Sequence, residues 1–197
     1  MSAAAKHLPS TGQQPEFLAA LRALHSITEP LSEVAVRELL LQLARFPGEL
    51  SAFEHFNPES YARNRVFSSR FVDLLLLCWR PGQRTPIHDH AGSTCGVYVM
   101  RGEAIEIGFS RPSQGPLIPS GSAVRAAGSL TVNRDDDIHL VANFAGPGQD
   151  LITLHCYSPP LASMRVFGED ETFFAGYSGV AGRALAATPT PHKGGAT

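Results

Sequence analysis

The chain has 197 residues, of which 43% are hydrophobic and 17% charged, and its formal net charge is -2. This length and composition predict a globular chain with a hydrophobic core and exclude a chain that is disordered throughout. A net charge near zero, without a clustered basic face, gives no indication of binding to nucleic acid or to an anionic membrane surface.

Residues 1–60 predict a helical segment packed on the outside of a sheet. Apolar residues recur at helical spacing over residues 17–24. A second helix is predicted from Ser32, a typical N-cap residue, to about Arg45, just before Pro47-Gly48. A third, shorter helix is predicted from Glu49 to His55. The apolar stripe of the second helix comprises Val34, Val36, Leu39, Leu40 and Leu43.

From Tyr61 onward the pattern changes to short strands separated by Gly and Pro. Residues 71–79 form an almost continuous apolar run, and two strands around Arg101-Gly102-Glu103 predict a hairpin. The predicted strands after residue 90 cover residues 96–100, 104–109, 122–126, 129–133, 138–143 and 150–157. The pattern predicts a mainly β fold, an antiparallel barrel or sandwich over residues 61–175. We expect residues 176–197 to form a flexible tail of a single domain.

The chemistry of the chain is concentrated between Gly82 and Gly102, where His88 and His90 lie two residues apart. In a β-strand, residues i and i+2 point to the same face, so both imidazoles can bind one metal ion while Asp89 points away. Such a pair is a weak signal by itself. Glycines lie at regular spacing on both sides of the pair, and His139 follows in a second motif between Gly128 and Asn143, so the combined signal is strong. Each histidine alone is more often a hydrogen-bonded core or surface residue.

Both motifs resemble those of the cupin family, and they read Gly82-x5-His88-x-His90-x4-Cys95-x6-Gly102 and Gly128-x5-Arg134-x-Asp136-x2-His139-x3-Asn143. The resemblance implies a double-stranded, jelly-roll-like β-barrel with a metal held by the three histidines. Cys95 stands where the family's usual glutamate ligand would be, and Arg134 and Asp136 replace a proline and a glycine. Three neutral imidazoles leave a divalent metal with its full charge, which favours an anionic ligand such as a thiolate.

A narrower resemblance rests on Tyr61-Ala62-Arg63-Asn64, Cys78-Trp79, His88-Asp89-His90, Cys95, His139 and the segment LHCYSPP at residues 154–160. Together these residues resemble cysteine dioxygenase, a thiol dioxygenase of the cupin superfamily. The resemblance implies that the chain uses iron(II) and O2 to oxidise L-cysteine to cysteine sulfinic acid, without an organic cofactor. It implies that Arg63 binds the substrate carboxylate, which its planar fork can grip at both oxygens, and that Tyr61 lines the same pocket.

Thr153, His155 and Tyr157 alternate along one predicted strand, so their side chains share a face. The resemblance implies a hydrogen-bonded row here, with Thr153 in place of a serine and with Tyr157 presenting its phenol to substrate and oxygen. It also implies a thioether bond between Cys95 and Tyr157, for which a small buried thiol is the alternative. A cis peptide bond between Ser158 and Pro159 is implied as well.

Two other functions remain open. A 3-mercaptopropionate dioxygenase usually has glutamine at the position of Arg63, and cysteamine has no carboxylate for Arg63 to bind. A metal-binding cupin without catalysis would leave Arg63, His155 and Tyr157 unexplained. The acidic residues 135–137 are expected to form a turn rather than to bind metal.

The three cysteines have no Cys-x-x-Cys spacing, so neither a disulfide framework nor a zinc–cysteine site is implied. Cys78 and Cys156 are expected to be core residues. The N-terminal sequence MSAAAKHLPSTGQQ lacks the apolar stretch of a secretory signal, and no apolar run approaches the ~20 residues that span a bilayer. We therefore expect a cytoplasmic monomer in a reducing compartment, with a small thiol and O2 as its partners.

Overall fold

The computed structural model describes residues 14–134, 138–161 and 164–167. The predicted acidic turn at residues 135–137 and the predicted C-terminal tail lie outside the described residues. Within these described ranges, three α-helices precede ten strands, and the strands form two five-stranded antiparallel sheets. The fold is therefore mainly β, a double-stranded barrel of two sheets, as the resemblance to cupins implied. Among the described helices, none is both long and apolar enough to cross a membrane.

The helices are α1 (Gln14–Ala23), α2 (Glu33–Leu43) and α3 (Pro47–Leu50), with 3-10 turns at Leu24–Ser26 and Ser51–Phe53. Ser32 caps α2 as predicted, because its Oγ accepts a hydrogen bond of 3.2 Å from the backbone N–H of Ala35. Val34 is 65% exposed and does not belong to the buried stripe. It lies two residues before Val36, which places it about 200° away around the helix.

The strands are β1 (Ala62–Ser68), β2 (Asp73–Trp79), β3 (Ile87–His88), β4 (Thr94–Arg101), β5 (Glu103–Ser110), β6 (Ile118–Ala126), β7 (Leu130–Arg134), β8 (Ile138–Ala142), β9 (Leu151–Ser158) and β10 (Val166–Phe167). One sheet has the order β1-β2-β9-β4-β7, and the other has the order β10-β3-β8-β5-β6. The Ser158–Pro159 peptide bond is cis, as the resemblance implied.

The predicted hairpin of β4 and β5 is wrong, because these strands belong to different sheets. The chain leaves one sheet and enters the other at Gly102, which has a φ of +83°. A Cβ at Gly102 would lie 2.7 Å from the backbone oxygen of Asp150, so glycine is needed both for the turn and for this close approach. Two apolar strands separated by a glycine turn have the same sequence pattern whether they pair with each other or belong to different sheets.

Strands β2 and β9 are buried on both faces, which explains their nearly continuous apolar sequence. One face of each strand packs against the helices, in a cluster that includes Val36 and Leu40 of α2. Cys78 and Cys156 lie in this outer cluster and are core residues, as predicted. The other face points into the barrel, where Trp79 and Tyr157 belong to an inner cluster. The inner faces therefore carry the residues that can form a site.

Candidate metal centre

His88, His90 and His139 lie together inside the barrel. One ring nitrogen from each lies within 4.8 Å of those of the other two, and all three residues are buried. His88 and His139 face each other as paired residues of β3 and β8, and their ring centroids are 4.9 Å apart. Local spacing brings His88 and His90 together, and strand pairing adds His139 from 49 positions further along the sequence.

Hydrogen bonds orient two of these imidazoles. His88 Nδ1 lies 2.9 Å from the backbone oxygen of Pro86, and His139 Nδ1 lies 3.1 Å from a carboxylate oxygen of Glu106. Both partners are acceptors, so each Nδ1 carries the proton, and Nε2 is the ring nitrogen that can bind a metal. This is the tautomer that a metal-binding histidine with an outer hydrogen bond adopts.

Two of the three histidines are also held in the neutral state that binds metal. Burial, followed by the neighbouring His139, lowers the pKa of His88 to about 4 and the pKa of His90 to about 3. Both imidazoles are therefore neutral at pH 7. His90 Nδ1 is buried and has no hydrogen-bond partner among the described residues. Three buried imidazoles whose ring nitrogens lie this close together fit a divalent transition metal.

Asp89 points away from this cluster, as the strand period predicted. Its carboxylate is buried and accepts a hydrogen bond from Arg165 Nε, and the Asp89 backbone N–H donates to the Arg165 carbonyl. The pair attaches the segment before β10 to the segment between the two histidines. Asp89 therefore has a structural partner and does not join the three histidines.

Arg63 lies beside the cluster of three histidines. Its side chain is exposed as a whole, but its guanidinium lies close enough to the hydroxyls of Tyr61 and Tyr157 to interact with them. Partial desolvation lowers the pKa of Arg63, but Tyr157 and Tyr61 raise it by more, so the charge is retained. The guanidinium carbon is 5.9 Å from the centre of the Tyr157 ring. A positive group is thus held in a defined place beside the histidines.

Thr153, His155 and Tyr157 share one face of β9, as the strand period predicted, and form the hydrogen-bonded row that the resemblance implied. Thr153 Oγ1 is 2.8 Å from His155 Nε2, and His155 Nδ1 is 3.1 Å from the Tyr157 hydroxyl. Trp79 extends the row, since its Nε1–H donates to Thr153 Oγ1 at 3.0 Å. Burial raises the pKa of Tyr157 and lowers the pKa of His155, so both side chains are neutral near pH 7.

One small cavity brings most of the candidate residues together, and its walls include Arg63, His88, His90, Cys95, His139, His155 and Tyr157. Cys95 and Tyr157 are directly paired residues of β4 and β9. Tyr61 and Thr153 are not among the lining side chains. Tyr61 instead contacts Arg63 through its hydroxyl and stacks on Trp79, with ring centroids 4.4 Å apart.

Sequence reasoning missed several residues of this site. It did not identify Glu106 as the partner of His139, or Arg125, whose Nε donates to the same carboxylate at 3.0 Å. It also missed the indole hydrogen bond of Trp79 and the role of Ser158. Ser158 Oγ donates to the Phe71 carbonyl at 2.6 Å and accepts from the Leu31 N–H at 2.8 Å. None of these contacts has a local spacing that could reveal it.

The chain is similar to known proteins. The family model described as cysteine dioxygenase type I matches residues 17–170. The chain is similar to cysteine dioxygenase type 1 of Danio rerio, with 30% identity over 164 residues, 79% of this chain and 81% of the relative. The Homo sapiens protein of the same name is 29% identical over the same shares of the two chains.

Among solved structures, an uncharacterized conserved protein with a double-stranded beta-helix domain from Klebsiella pneumoniae is 17% identical to this chain. The match has a TM-score of 0.48 and covers 61% of this chain and 95% of that one.

Proposed function

The chain belongs to the cysteine dioxygenase type I family, and we propose that it oxidises L-cysteine with O2 to cysteine sulfinic acid. The observation that carries the proposal is that Arg63 and Tyr157 contact each other in the cavity that holds the three histidines. In the proposed reaction both oxygen atoms of one O2 are bonded to sulfur. The thiol loses four electrons and O2 gains four, so no further reductant is consumed.

We propose that iron(II) is the metal and that His88, His90 and His139 hold it. When bound, the metal supplies the redox chemistry between thiol and O2. The structure supports this donor set because the three imidazoles are buried together and two of them have lowered pKa values. Neutral ligands also leave the charge of the metal to be offset by an anionic thiolate.

Arg63 is proposed to bind the carboxylate of the substrate. Its guanidinium can donate two parallel hydrogen bonds to the two carboxylate oxygens. Its interactions with Tyr61 and Tyr157 keep the guanidinium beside the cavity before substrate arrives, which reduces the entropy lost on binding. The other end of a small thiol bound in this way would lie in the cavity that the three histidines line.

Tyr157 is proposed to donate a proton or a hydrogen bond toward the reacting atoms. The indole N–H of Trp79 can only donate, so Thr153 Oγ1 accepts from it and can donate its own hydrogen to His155 Nε2. His155 Nδ1–H then donates to the Tyr157 oxygen. In this arrangement each residue of the row has a hydrogen-bond partner, and the hydroxyl hydrogen of Tyr157 can point into the cavity.

Oxygen uptake tests the proposed function. Metal-quantified, iron(II)-loaded protein should consume O2 fastest with L-cysteine, compared with 3-mercaptopropionate and cysteamine, and should form sulfinate at one O2 per thiol. Preference for 3-mercaptopropionate would agree with thiol dioxygenase chemistry but contradict the assignment of L-cysteine as the substrate. Absence of uptake with every thiol, at full iron occupancy, would favour a cupin that binds metal without catalysis.

The variant Arg63→Gln tests the role of Arg63. We expect a lower kcat/KM for L-cysteine by about tenfold or more, because a charge-assisted bidentate contact is lost, while the iron content stays unchanged. Arg65→Gln is the matched control, since Arg65 lies two residues later on β1 and pairs with Asp73 rather than with the site. Equal kcat/KM for Arg63→Gln and the wild type would show that the carboxylate binds elsewhere.

A further inference from the structure

Glu106 contacts a metal-binding histidine from outside the cluster. One carboxylate oxygen of Glu106 lies 3.1 Å from His139 Nδ1, and the other accepts a 3.0 Å hydrogen bond from Arg125 Nε. The Glu106 side chain is 15% exposed and that of His139 is 5% exposed. The carboxylate is therefore largely removed from water and has a partner on each of its two oxygens.

Three neighbouring strands build this arrangement. His139 lies on β8, Glu106 on β5 and Arg125 on β6, and these strands are adjacent in one sheet. The residue directly paired with His139 on β5 is Gly108, which has no side chain to separate the imidazole from Glu106 two positions earlier. The sheet register thus places carboxylate, imidazole and guanidinium in a line across three strands.

The other two histidines lack a comparable partner. His88 Nδ1 faces a neutral backbone carbonyl, and His90 Nδ1 has no hydrogen-bond partner among the described residues. No acidic side chain in the described part of the chain joins the three histidines as a further ligand. A metal held here would therefore have neutral ligands, and Glu106 brings a negative charge one hydrogen bond away.

We propose that Glu106 is a positioning residue of the metal centre. It keeps the proton of His139 on Nδ1, directs Nε2 toward the metal and makes the imidazole a stronger donor by placing a negative charge behind it. Arg125 binds the second oxygen and so orients the first toward His139. This inference rests on the metal centre of the proposed function, but it does not depend on the substrate or on the metal being iron.

Cobalt(II) binding to the metal-free full-length protein tests the proposal without turnover. The affinity is measured by competition with a chelator, and the visible absorption bands of bound Co(II) report the ligand field. We expect Glu106→Gln to weaken binding about tenfold and Glu106→Ala up to about 100-fold, the range for losing such an outer partner. We also expect the Co(II) bands to shift, because the donor strength of His139 changes.

Glu103→Gln is the matched control. Glu103 lies on the same strand, is exposed, and its substitution removes the same formal charge without touching His139. It should leave both the affinity and the Co(II) spectrum as in the wild type. Arg125→Gln should weaken binding less than Glu106→Ala, since the carboxylate and its charge remain.

Each outcome decides the proposal. Unchanged affinity and spectrum in Glu106→Gln, with normal binding by the wild type, would overturn it and leave the three-histidine centre intact. An equal loss of Co(II) affinity in Glu103→Gln would also overturn it, because the loss would then come from the change in the protein's overall charge. Failure of the wild type to bind Co(II) would refute the metal centre itself. Circular dichroism of the metal-free variants separates lost binding from lost folding, and Glu106→Gln keeps nearly the native volume.

Discussion

At the scale of single residues, Trp79 connects the two halves of the site. Its ring stacks on Tyr61, which contacts Arg63, and its Nε1–H donates to Thr153, which contacts His155. The two chains of contacts meet again at Tyr157, because His155 forms a hydrogen bond with its hydroxyl and Arg63 interacts with the same side chain. The group proposed to bind the carboxylate and the group proposed to deliver a proton are therefore positioned by the same indole.

Trp79→Phe separates these two roles. It keeps an aromatic ring beside Tyr61 but removes the N–H that donates to Thr153. We expect kcat to fall about tenfold, the equivalent of one hydrogen bond of ~1.4 kcal/mol, with little change in KM for L-cysteine. Thr153→Ser is the control and should stay near the wild-type rate, since it keeps the hydroxyl. A higher KM at unchanged kcat would show that Trp79 serves Arg63 instead.

Cys95 and Tyr157 are placed for the thioether that the resemblance implies. They are directly paired residues of β4 and β9, and both are buried. Forming the bond joins sulfur to the ring and removes two hydrogen atoms, with O2 as the oxidant. We expect intact-mass analysis of iron-loaded protein after turnover to show a fraction lighter by two hydrogens. Cys95→Ser should lack that fraction, and its presence there would disprove the assignment.

At the scale of elements, Gly96 sets the distance between α2 and the barrel. A Cβ at this position would lie 2.5 Å from Val36 Cγ1 and 2.6 Å from Leu40 Cδ1. Both side chains are fully buried, so they cannot move aside into solvent. A glycine in the middle of a strand, next to Cys95, is thus explained by the close approach of a helix.

Gly96→Ala should therefore destabilise the protein. We expect a loss of about 1–3 kcal/mol in the free energy of unfolding, the usual cost of overpacking a filled core. Chemical denaturation provides the measurement. Gly146→Ala is the control, because nothing lies within 4 Å of a Cβ there, and it should change stability by less than about 0.5 kcal/mol. Equal effects of the two substitutions would contradict the packing argument.

At the scale of the whole molecule, we propose that residues 1–60 and the barrel of residues 61–175 form a single domain. Helix α2 and the outer faces of β2 and β9 share one hydrophobic cluster. The Leu31 N–H also donates to Ser158 Oγ at the end of β9. Removing the helical segment would expose this cluster, so we expect the helices and the barrel to unfold in one transition.

The buried histidines make the stability of the metal-free protein depend on pH. An unfolded histidine gains a proton below pH 6.5, whereas His88 and His90 in the folded chain remain neutral down to about pH 4 and 3. The unfolded state then binds more protons, so the free energy of unfolding should fall as pH drops from 6.5 toward 4. The slope should be up to about 1.4 kcal/mol per pH unit for each histidine.

Denaturant titrations between pH 7 and pH 4 measure this slope. His88→Gln should reduce it, because one of the groups that stay neutral is gone. The control is His55→Gln, at an exposed position outside the barrel, which should leave the slope as in the wild type. A stability that is flat over this range would mean that the buried imidazoles accept protons without unfolding.

The sequence by itself determined the parts of this protein that depend on local periodicity. The two-residue period of a strand predicted that His88 and His90 share a face and that Asp89 points away, and the structure shows both. The same period predicted that Thr153, His155 and Tyr157 share a face, and the resemblance carried by the glycines and histidines implied the barrel and the hydrogen-bonded row. These features are legible because successive side chains of an extended strand must alternate.

Only the tertiary structure decided the contacts between distant strands. Glu106 meets His139 across a register that no local pattern reveals, and the Trp79 indole meets a hydroxyl 74 residues away. At Gly102 the sequence predicts a hairpin, but the chain crosses from one sheet to the other there. A glycine turn does not determine which strands will pair. Local sequence restricts φ and ψ and the face on which a side chain lies, but partners are chosen when strands pair and the interior is filled.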